Sequence, residues 1–255
     1  MHIGVFDSGI GGWTILYQLL QDMPGHEYIY LADRSHAPYS EKSLAEIISF
    51  SKENVRFLLD FGCEAIVVAC NTATVMALGE LRREWPKVPF VGTVPAVRPA
   101  SLLTPAHSTI VVLATKNTVE SAALQNLLQP YQFQTNFELV GTTDLVRYIE
   151  AADWQTAQRE VESLLAPYAS ATGVVLGCTH FPLVAAEIQQ AIGSPVPFFF
   201  PNEGVSNRLQ TFAPDLGGQG SLQLFSSDGQ KLETLWQALQ PRLQIMADFA
   251  TLHSR

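Results

Sequence analysis

The chain has 255 residues, of which 47% are hydrophobic and 15% are charged, and its formal net charge is −9. This acidic balance, with no basic cluster longer than Arg82 and Arg83, argues against a nucleic-acid groove or an anionic membrane surface as a partner. No apolar run reaches the roughly 18 residues that cross a bilayer, the N-terminus lacks the pattern of a signal peptide, and three scattered cysteines suit a reducing compartment, so we expect a cytoplasmic protein.

Short apolar runs alternate with helical patterns along the chain. The runs that we predict as strands are residues 2–6, 27–32, 64–69, 89–94, 109–114, 137–142, 173–177 and 196–200. The segments with helical periodicity are residues 13–21, 43–62, 72–85, 156–169 and 183–193. Several strand candidates are continuous runs of Val, Ile and Leu, which is typical of strands buried on both faces of a parallel sheet. The alternation predicts βαβ units and an α/β fold.

The first predicted strand runs into a glycine-rich segment, FDSGIGGW. Thr14 stands where the dinucleotide fingerprint GxGxxG requires its third glycine, and no GK follows for a phosphate loop. A tight turn with a closely packed helix explains the glycines without a nucleotide. It does not explain Asp7 and Ser8, which are polar residues at the end of a strand, where side chains often carry function.

The stretches EAIVVACNTATVMAL and TGVVLGCTHFPLVAA repeat one pattern of strand, cysteine, polar turn and helix start. Their cysteines, Cys70 and Cys178, are about one small domain apart. The repeat predicts two similar α/β domains, residues 1–97 with 207–255 and residues 98–206. Ligands of open α/β sheets bind beyond the carboxyl ends of the strands. We therefore expect the active site in the cleft between the domains, with one thiol from each.

Both cysteines are followed by residues that begin helices. We expect Asn71 or Thr72 to cap the helix after Cys70, and Thr179 to cap the helix after Cys178. A helix N-terminus favours the thiolate, which is the reactive form of cysteine.

The thiols also have candidate proton partners, because His180 follows Cys178 closely and Asp7 can serve Cys70 from the neighbouring strand. A Cys–His pair can act as a nucleophile in hydrolysis, and Cys70, Cys178 and His180 can ligate a metal, although their spacing matches no common zinc pattern. Two thiols on opposite faces of a planar carbanion can instead racemise a carbon centre. This third chemistry uses both copies of the repeat.

Six segments carry a family resemblance: GVFDSGIGGWTIL, ADRSHAPYS, VVACNTAT, VGTVPAV, VLATKNTVES and VLGCTHFPLV. Together they resemble the cofactor-independent glutamate racemases of bacterial cell-wall synthesis. The resemblance runs from Ile3 to about Leu183. Aspartate racemases, the nearest relatives of that family, usually have glutamate where His180 stands.

The resemblance implies that Cys70 and Cys178 are the two acid/base residues, assisted by Asp7 and His180. The positions that it implies for substrate binding are Ser8, Tyr39, Ser40, Asn71, Thr72, Thr118 and Thr179. Asp33 and Glu150 match outer acidic positions. The family interconverts L- and D-glutamate without pyridoxal phosphate, metal or other cofactor and supplies D-glutamate for peptidoglycan, and hence for cell shape. Relatives commonly dimerise, so we expect a homodimer.

Departures from the family's pattern and several alternatives accompany this resemblance. Ser40 stands where the family usually has glycine, and residues 200–204 differ from its usual acidic-serine-glycine segment. The alternatives are a racemase for aspartate or another amino acid, a cysteine hydrolase, and an amino-acid-binding protein on the same fold.

Overall fold

The structure, a computed structural model, describes residues 1–214 and 217–251. The chain forms two compact units. Unit 1 consists of Met1–Val94 and Pro201–Gln240, and unit 2 consists of Pro95–Phe200 and the chain from Pro241 onward. Within the described ranges, no helix is both long enough and apolar enough to cross a membrane.

Each unit is built on one sheet. The strands of the described residues are β1 (His2–Asp7), β2 (Glu27–Ala32), β3 (Ala65–Val68), β4 (Phe90–Gly92), β5 (Ser108–Ala114), β6 (Thr135–Gly141), β7 (Gly173–Leu176), β8 (Phe198–Phe199) and β9 (Ser221–Ser226). Unit 1 has the strand order β4-β3-β1-β2-β9 and unit 2 the order β6-β5-β7-β8, and all neighbouring pairs are parallel. The predicted α/β fold with a parallel sheet in each of two similar domains is confirmed, and β9 is the one strand among the described residues that the patterns do not predict.

Helices connect and flank these strands. They are α1 (Trp13–Asp22), α2 (Leu44–Asp60), α3 (Asn71–Glu84), α4 (Val97–Leu103), α5 (Lys116–Val119), α6 (Ala122–Leu128), α7 (Asp144–Glu150), α8 (Trp154–Leu165), α9 (Ala185–Ile192), α10 (Asn202–Gln210) and α11 (Glu233–Thr251). Two of the short 3₁₀ turns, Tyr39–Glu41 and Phe181–Val184, belong to segments that carry predicted site residues.

Local sequence explains where α2 begins and which face it buries. Ser43 accepts a hydrogen bond from the backbone N–H of Glu46, whose carboxylate accepts the N–H of Ser43 in return, so the two form a capping box. Ile47, Val55 and Leu58 recur at helical spacing and are fully buried. Burying such a side chain contributes about 1.5–3 kcal/mol. This face packs in the core between the sheet of unit 1 and α3.

The glycine-rich segment before α1 is a site of close packing. A Cβ atom on Gly12 would lie 2.7 Å from Asp7 Cβ and 2.7 Å from Tyr30 Oη. No side chain fits there, so glycine lets the start of α1 approach the end of β1. This contact supports the interpretation of the segment as a packing turn.

Candidate active site

The two predicted catalytic thiols occupy matching positions in the two sheets. Cys70 is the second residue after the end of β3 at Val68, and Cys178 is the second residue after the end of β7 at Leu176. Both strands are buried at every residue. Each thiol therefore lies at the carboxyl edge of a buried strand, the edge at which open α/β sheets bind ligands.

In unit 1, strand register brings Asp7 and Ser8 beside Cys70. Phe6 of β1 pairs with Val68 of β3, so the two residues after Phe6 leave the sheet next to the thiol. The Cys70 thiol donates toward Ser8 Oγ at 3.9 Å, and the Ser8 hydroxyl lies 3.4 Å from Asp7 Oδ1. Asp7 also accepts the backbone N–H of Ser8 at 2.7 Å. A thiol, a hydroxyl and a carboxylate thus form a continuous series.

The cap of α3 is Cys70 itself, so the prediction that Asn71 or Thr72 caps this helix was wrong. Cys70 has extended backbone angles, and its Sγ accepts the N–H of Ala73 at 3.5 Å. Asn71 and Thr72 already belong to the first turn, where the backbone is helical. The sulfur consequently lies at the positive end of a helix, which favours its thiolate form.

Two buried polar side chains near this helix start lack partners within the described part of the chain. They are Asn71, at both Oδ1 and Nδ2, and Ser40, at Oγ. The 3₁₀ turn that contains Ser40 packs against α3. An unsatisfied buried polar group costs roughly 1–3 kcal/mol. These atoms are therefore available to the polar groups of a ligand.

Tyr39 and Asp33 form a buried network with two residues that the sequence did not predict. Tyr39 Oη donates to Asp33 Oδ2 at 2.5 Å, while Asn54 Nδ2 donates to Tyr39 Oη at 3.0 Å. His36 Nδ1 lies 2.8 Å from Asp33 Oδ1. Burial, followed by the neighbouring Asp33 carboxylate, raises the pKa of Tyr39 far above its usual value, so the phenol keeps its proton. Asn54 had a signal in the sequence, because it is an amide on the apolar face of α2.

In unit 2, Cys178, His180 and Glu150 form a second series. Cys178 Sγ lies 3.7 Å from His180 Nδ1, and His180 Nε2 lies 2.6 Å from Glu150 Oε1. Burial lowers the pKa of His180, but the hydrogen bonds and charges of Cys178 and Glu150 outweigh it and hold this pKa well above its usual value. The protonated imidazole donates one N–H to each partner. A thiol, an imidazole and a carboxylate thus lie in one series of contacts in unit 2.

The segment after Cys178 differs from the one after Cys70. Phe181 N donates to Cys178 O at 3.2 Å and Leu183 N donates to His180 O at 3.0 Å. These three-residue spacings wind a 3₁₀ turn, and α9 begins only after it, at Ala185. The prediction that Thr179 caps a helix was therefore wrong. Thr179 is nevertheless buried, and it follows Cys178 directly in the sequence.

Thr118 lies in α5, at the end of the neighbouring strand. Leu113 of β5 pairs with Leu176 of β7, so Thr115 leaves β5 beside the Cys178 segment. Thr115 caps α5 by accepting the N–H of Thr118 at 3.4 Å, and the two hydroxyls lie 3.0 Å apart. Thr115 was not predicted from the sequence, although it follows an apolar strand directly.

The third cysteine has a different environment. Burial, with a contribution from Glu64, raises the pKa of Cys63 to about 12, so its thiol stays protonated and inert. Within residues 1–214 and 217–251, no group of three or more His, Cys, Asp and Glu side chains is placed to hold a metal ion.

Comparisons with known proteins agree on one family. The family model of Asp/Glu/hydantoin racemases matches residues 14–202. A glutamate racemase of Clostridium perfringens is 36% identical over 237 residues, which cover 88% of this chain and 90% of that protein. The structure of Escherichia coli glutamate racemase, in complex with L-glutamate and the activator UDP-MurNAc-Ala, superposes with a TM-score of 0.82 at 28% identity and covers 96% of this chain and 94% of that one. Glutamate racemase from Aquifex pyrophilus has a TM-score of 0.70 at 30% identity, with 96% and 94% of the two chains covered. These likenesses confirm the resemblance seen in the motifs: the chain belongs to the Asp/Glu/hydantoin racemase family and is an isomerase.

Proposed function

We propose that this protein interconverts L- and D-glutamate, with Cys70 and Cys178 as its two acid/base residues. The observation that carries the proposal is the repetition of one arrangement: in each unit, a thiol lies two residues beyond a buried strand with a series of proton partners behind it. The glutamate specificity rests on the relatives, which are glutamate racemases.

The reaction needs one proton removed and one returned. One thiolate takes the α-proton, the Cα–H bond breaks, and its electron pair spreads onto the α-carboxylate. The second thiol then donates its proton to the other face of Cα. The product is the mirror-image amino acid, and the two sulfurs have exchanged protonation states. Neither step consumes a co-reactant.

The groups that contact each thiol stabilise its charge and exchange its proton. His180, held by Glu150, stabilises the Cys178 thiolate as an ion pair, and in unit 1 the N–H of Ala73 stabilises sulfur negative charge on Cys70. Ser8 and Asp7 then connect the Cys70 thiol to a carboxylate. Preorganised donors of this kind usually contribute most to the stabilisation of charge that develops in a transition state.

Binding of the two substrate carboxylates falls to N–H groups and hydroxyls. The side chains of Ser40 and Asn71, which have no partner within the described residues, supply donors near the N-terminus of α3. The buried hydroxyls of Thr72, Thr118 and Thr179 supply further ones. We propose Tyr39 and Asp33 as the pair that fixes the turn bearing Ser40.

The decisive experiment follows purified protein with L-glutamate in D₂O, in parallel with D-glutamate. We expect the α-proton signal in NMR and the circular dichroism signal to disappear together from either enantiomer. If aspartate or another amino acid reacts and glutamate does not, the assignment of glutamate as the substrate is wrong. Glutamate binding without α-proton exchange would leave an amino-acid-binding protein, and acylation of Cys70 that survives Cys178→Ser would identify a hydrolase.

We further propose that the enzyme acts without a cofactor, as a homodimer in the cytoplasm, where D-glutamate enters peptidoglycan synthesis. If no cofactor is needed, activity should be unchanged after dialysis against a chelator. The protein should also show no absorbance at wavelengths longer than the aromatic band. Light scattering at the concentration used in the assay tests whether the protein is a homodimer.

A further inference from the structure

Arg242 of α11 makes three contacts within unit 2. Its Nη1 donates to the carbonyl oxygen of Leu183 at 2.8 Å and to Glu187 Oε1 at 2.9 Å. The carbon at the centre of its guanidinium lies 3.8 Å from the centre of the Trp154 ring. Only about a quarter of the side chain is exposed, 24% by accessible area, so water screens these contacts weakly.

Two of these contacts fall on the segments that carry the His180–Glu150 pair. Leu183 closes the 3₁₀ turn that starts at His180, because its N–H donates to the carbonyl of His180 at 3.0 Å. Trp154 is the first residue of α8, and only a short turn separates it from Glu150 at the end of α7. Arg242 therefore touches the chain just beyond each member of the pair.

We propose that Arg242 is a positioning residue, which ties the His180 segment to the Glu150 segment and so keeps the imidazole within hydrogen-bond distance of the carboxylate and of Cys178. It acts through these segments and touches no reacting atom. The inference rests on the proposed function only for its effect on turnover, because its effect on the reactivity of Cys178 requires no substrate.

Arginine is suited to this role for a physical reason. Its planar guanidinium donates hydrogen bonds in its plane while its face lies on an aromatic ring, and one group can thus hold a carbonyl, a carboxylate and an indole together. Lysine offers a point charge without a planar face. Arg242→Lys keeps the charge beside Glu187 but loses the stacking on Trp154.

The test measures alkylation of each cysteine by iodoacetamide between about pH 6 and about pH 10, a range that brackets a free thiol, with mass spectrometry of the labelled peptides. In Arg242→Gln we expect alkylation of Cys178 near pH 7 to slow about tenfold, as for a one-unit shift in thiolate formation. Cys70 in the same sample should keep its curve. Turnover should fall about 10- to 100-fold in kcat with KM changed by less than about twofold.

Arg56→Gln is the matched control. Arg56 also donates to a carboxylate at 2.9 Å, that of Glu84, and also lies over an indole, that of Trp85. It joins α2 to the end of α3, away from the segments of His180 and Glu150. In this variant, the dependence of alkylation on pH should stay unchanged for both Cys70 and Cys178. Arg242→Lys should shift the Cys178 curve in the same direction as Arg242→Gln by a smaller amount, and it serves as the test if Arg242→Gln does not fold.

Unchanged alkylation of Cys178 in the Arg242 variants would overturn the inference. Equal slowing of Cys70 and Cys178 would also overturn it, because Arg242 would then support the fold as a whole. The wild-type protein could fail to racemise glutamate while alkylation of Cys178 is still slower in the Arg242 variants. That result would contradict the proposed function but not the positioning role of Arg242.

Discussion

At the scale of single residues, the two thiols have different surroundings although they occupy the same place in their sheets. Cys70 receives a backbone N–H at the start of α3 and lies beside a hydroxyl. Cys178 lies beside an imidazole that is itself held by a carboxylate. The repeat in the sequence predicts the shared position. The residue types give His180 to Cys178 alone, but the backbone N–H that Cys70 accepts depends on the helix that starts there, which the repeat does not predict.

Replacing either thiol tests whether both are needed. We expect Cys70→Ser and Cys178→Ser each to lower kcat by about 10²- to 10⁴-fold, the usual contribution of a general acid or base. Cys63→Ala is the control, since this cysteine lies in the core; it should cost stability and leave kcat unchanged. Full activity of either serine variant, assayed by circular dichroism with both enantiomers, would contradict a two-thiol mechanism.

The His180–Glu150 pair makes stability depend on pH. Burial lowers the pKa of His180, and Cys178 and Glu150 more than reverse this, so its folded-state pKa is raised. A raised pKa stabilises the fold fully below the unfolded value of about 6.5 and less as pH rises through the folded value. The advantage of the wild type over Glu150→Gln in unfolding free energy should therefore be largest below about pH 6.5 and shrink above it.

Urea unfolding across this range measures that difference. Glu162→Gln, at an exposed position of α8, should follow the wild type at every pH. An advantage that grows with rising pH would show that His180 is not the group responsible.

Ser40 lies in the 3₁₀ turn Tyr39–Glu41 and is buried. Its buried hydroxyl has no partner within the described residues, and a hydrogen bond to a charged group contributes about 1.5–3 kcal/mol. We expect Ser40→Ala to raise KM for glutamate by about tenfold or more, and to stabilise the free protein. Ser101→Ala removes a comparable buried hydroxyl in α4 and should raise stability without changing KM. An unchanged KM in Ser40→Ala would show that this hydroxyl does not bind glutamate.

At the scale of elements, apolar runs predicted eight of the nine described strands, and most of these strands are buried along most of their length. The sequence SLQLFS of β9 alternates polar and apolar residues at a sheet edge, and it follows a glycine-rich segment. That pattern is weak in a chain in which several other strands are continuous apolar runs. The cap of α3 was predicted one or two residues late, at Asn71 or Thr72, because cysteine is an uncommon cap.

The contacts within the site were less predictable than the elements. His180 and Glu150 are 30 positions apart, and Arg242 and Leu183 are 59 apart. No local pattern encodes such separations. The family resemblance indicated Glu150, whereas Arg242 emerged only from the folded chain.

The turn between α7 and α8 contains a strained residue. Ala152 has φ of 54° in the left-handed region, where the backbone closes α7 with the Asp153 N–H donating to Tyr148 O at 2.9 Å. Glycine avoids the penalty of about 1–2 kcal/mol that a Cβ causes there. We expect Ala152→Gly to raise the unfolding free energy by about 1 kcal/mol, after the larger chain entropy of glycine is counted.

The matched reverse change is Gly193→Ala, because Gly193 closes α9 with φ of 80°, and a Cβ atom at this position would meet only open space. It should lower the unfolding free energy by a similar amount. A loss of stability in Ala152→Gly would mean that the methyl group has a packing role that outweighs the strain.

At the scale of the whole molecule, each unit is assembled from two separate stretches of chain. Unit 1 is interrupted between Val94 and Pro201, and α11 contributes to unit 1 up to Gln240 and to unit 2 from Pro241. The domain limits predicted from the repeat, 1–97 with 207–255 and 98–206, stay a prediction. A repeat of two cysteine motifs indicates two domains, but it carries no signal about which of them the last helix joins.

The position of β9 has a consequence for the synthesis of the protein. β9 pairs with β2 along the full length of both strands, yet it is translated after every strand of unit 2. While the ribosome makes the intervening chain, the apolar strand EYIYLA of the nascent protein has one unpaired edge, and such edges template aggregation. A translation product that stops before Ser221 should therefore keep this edge of β2 unpaired and be prone to aggregate.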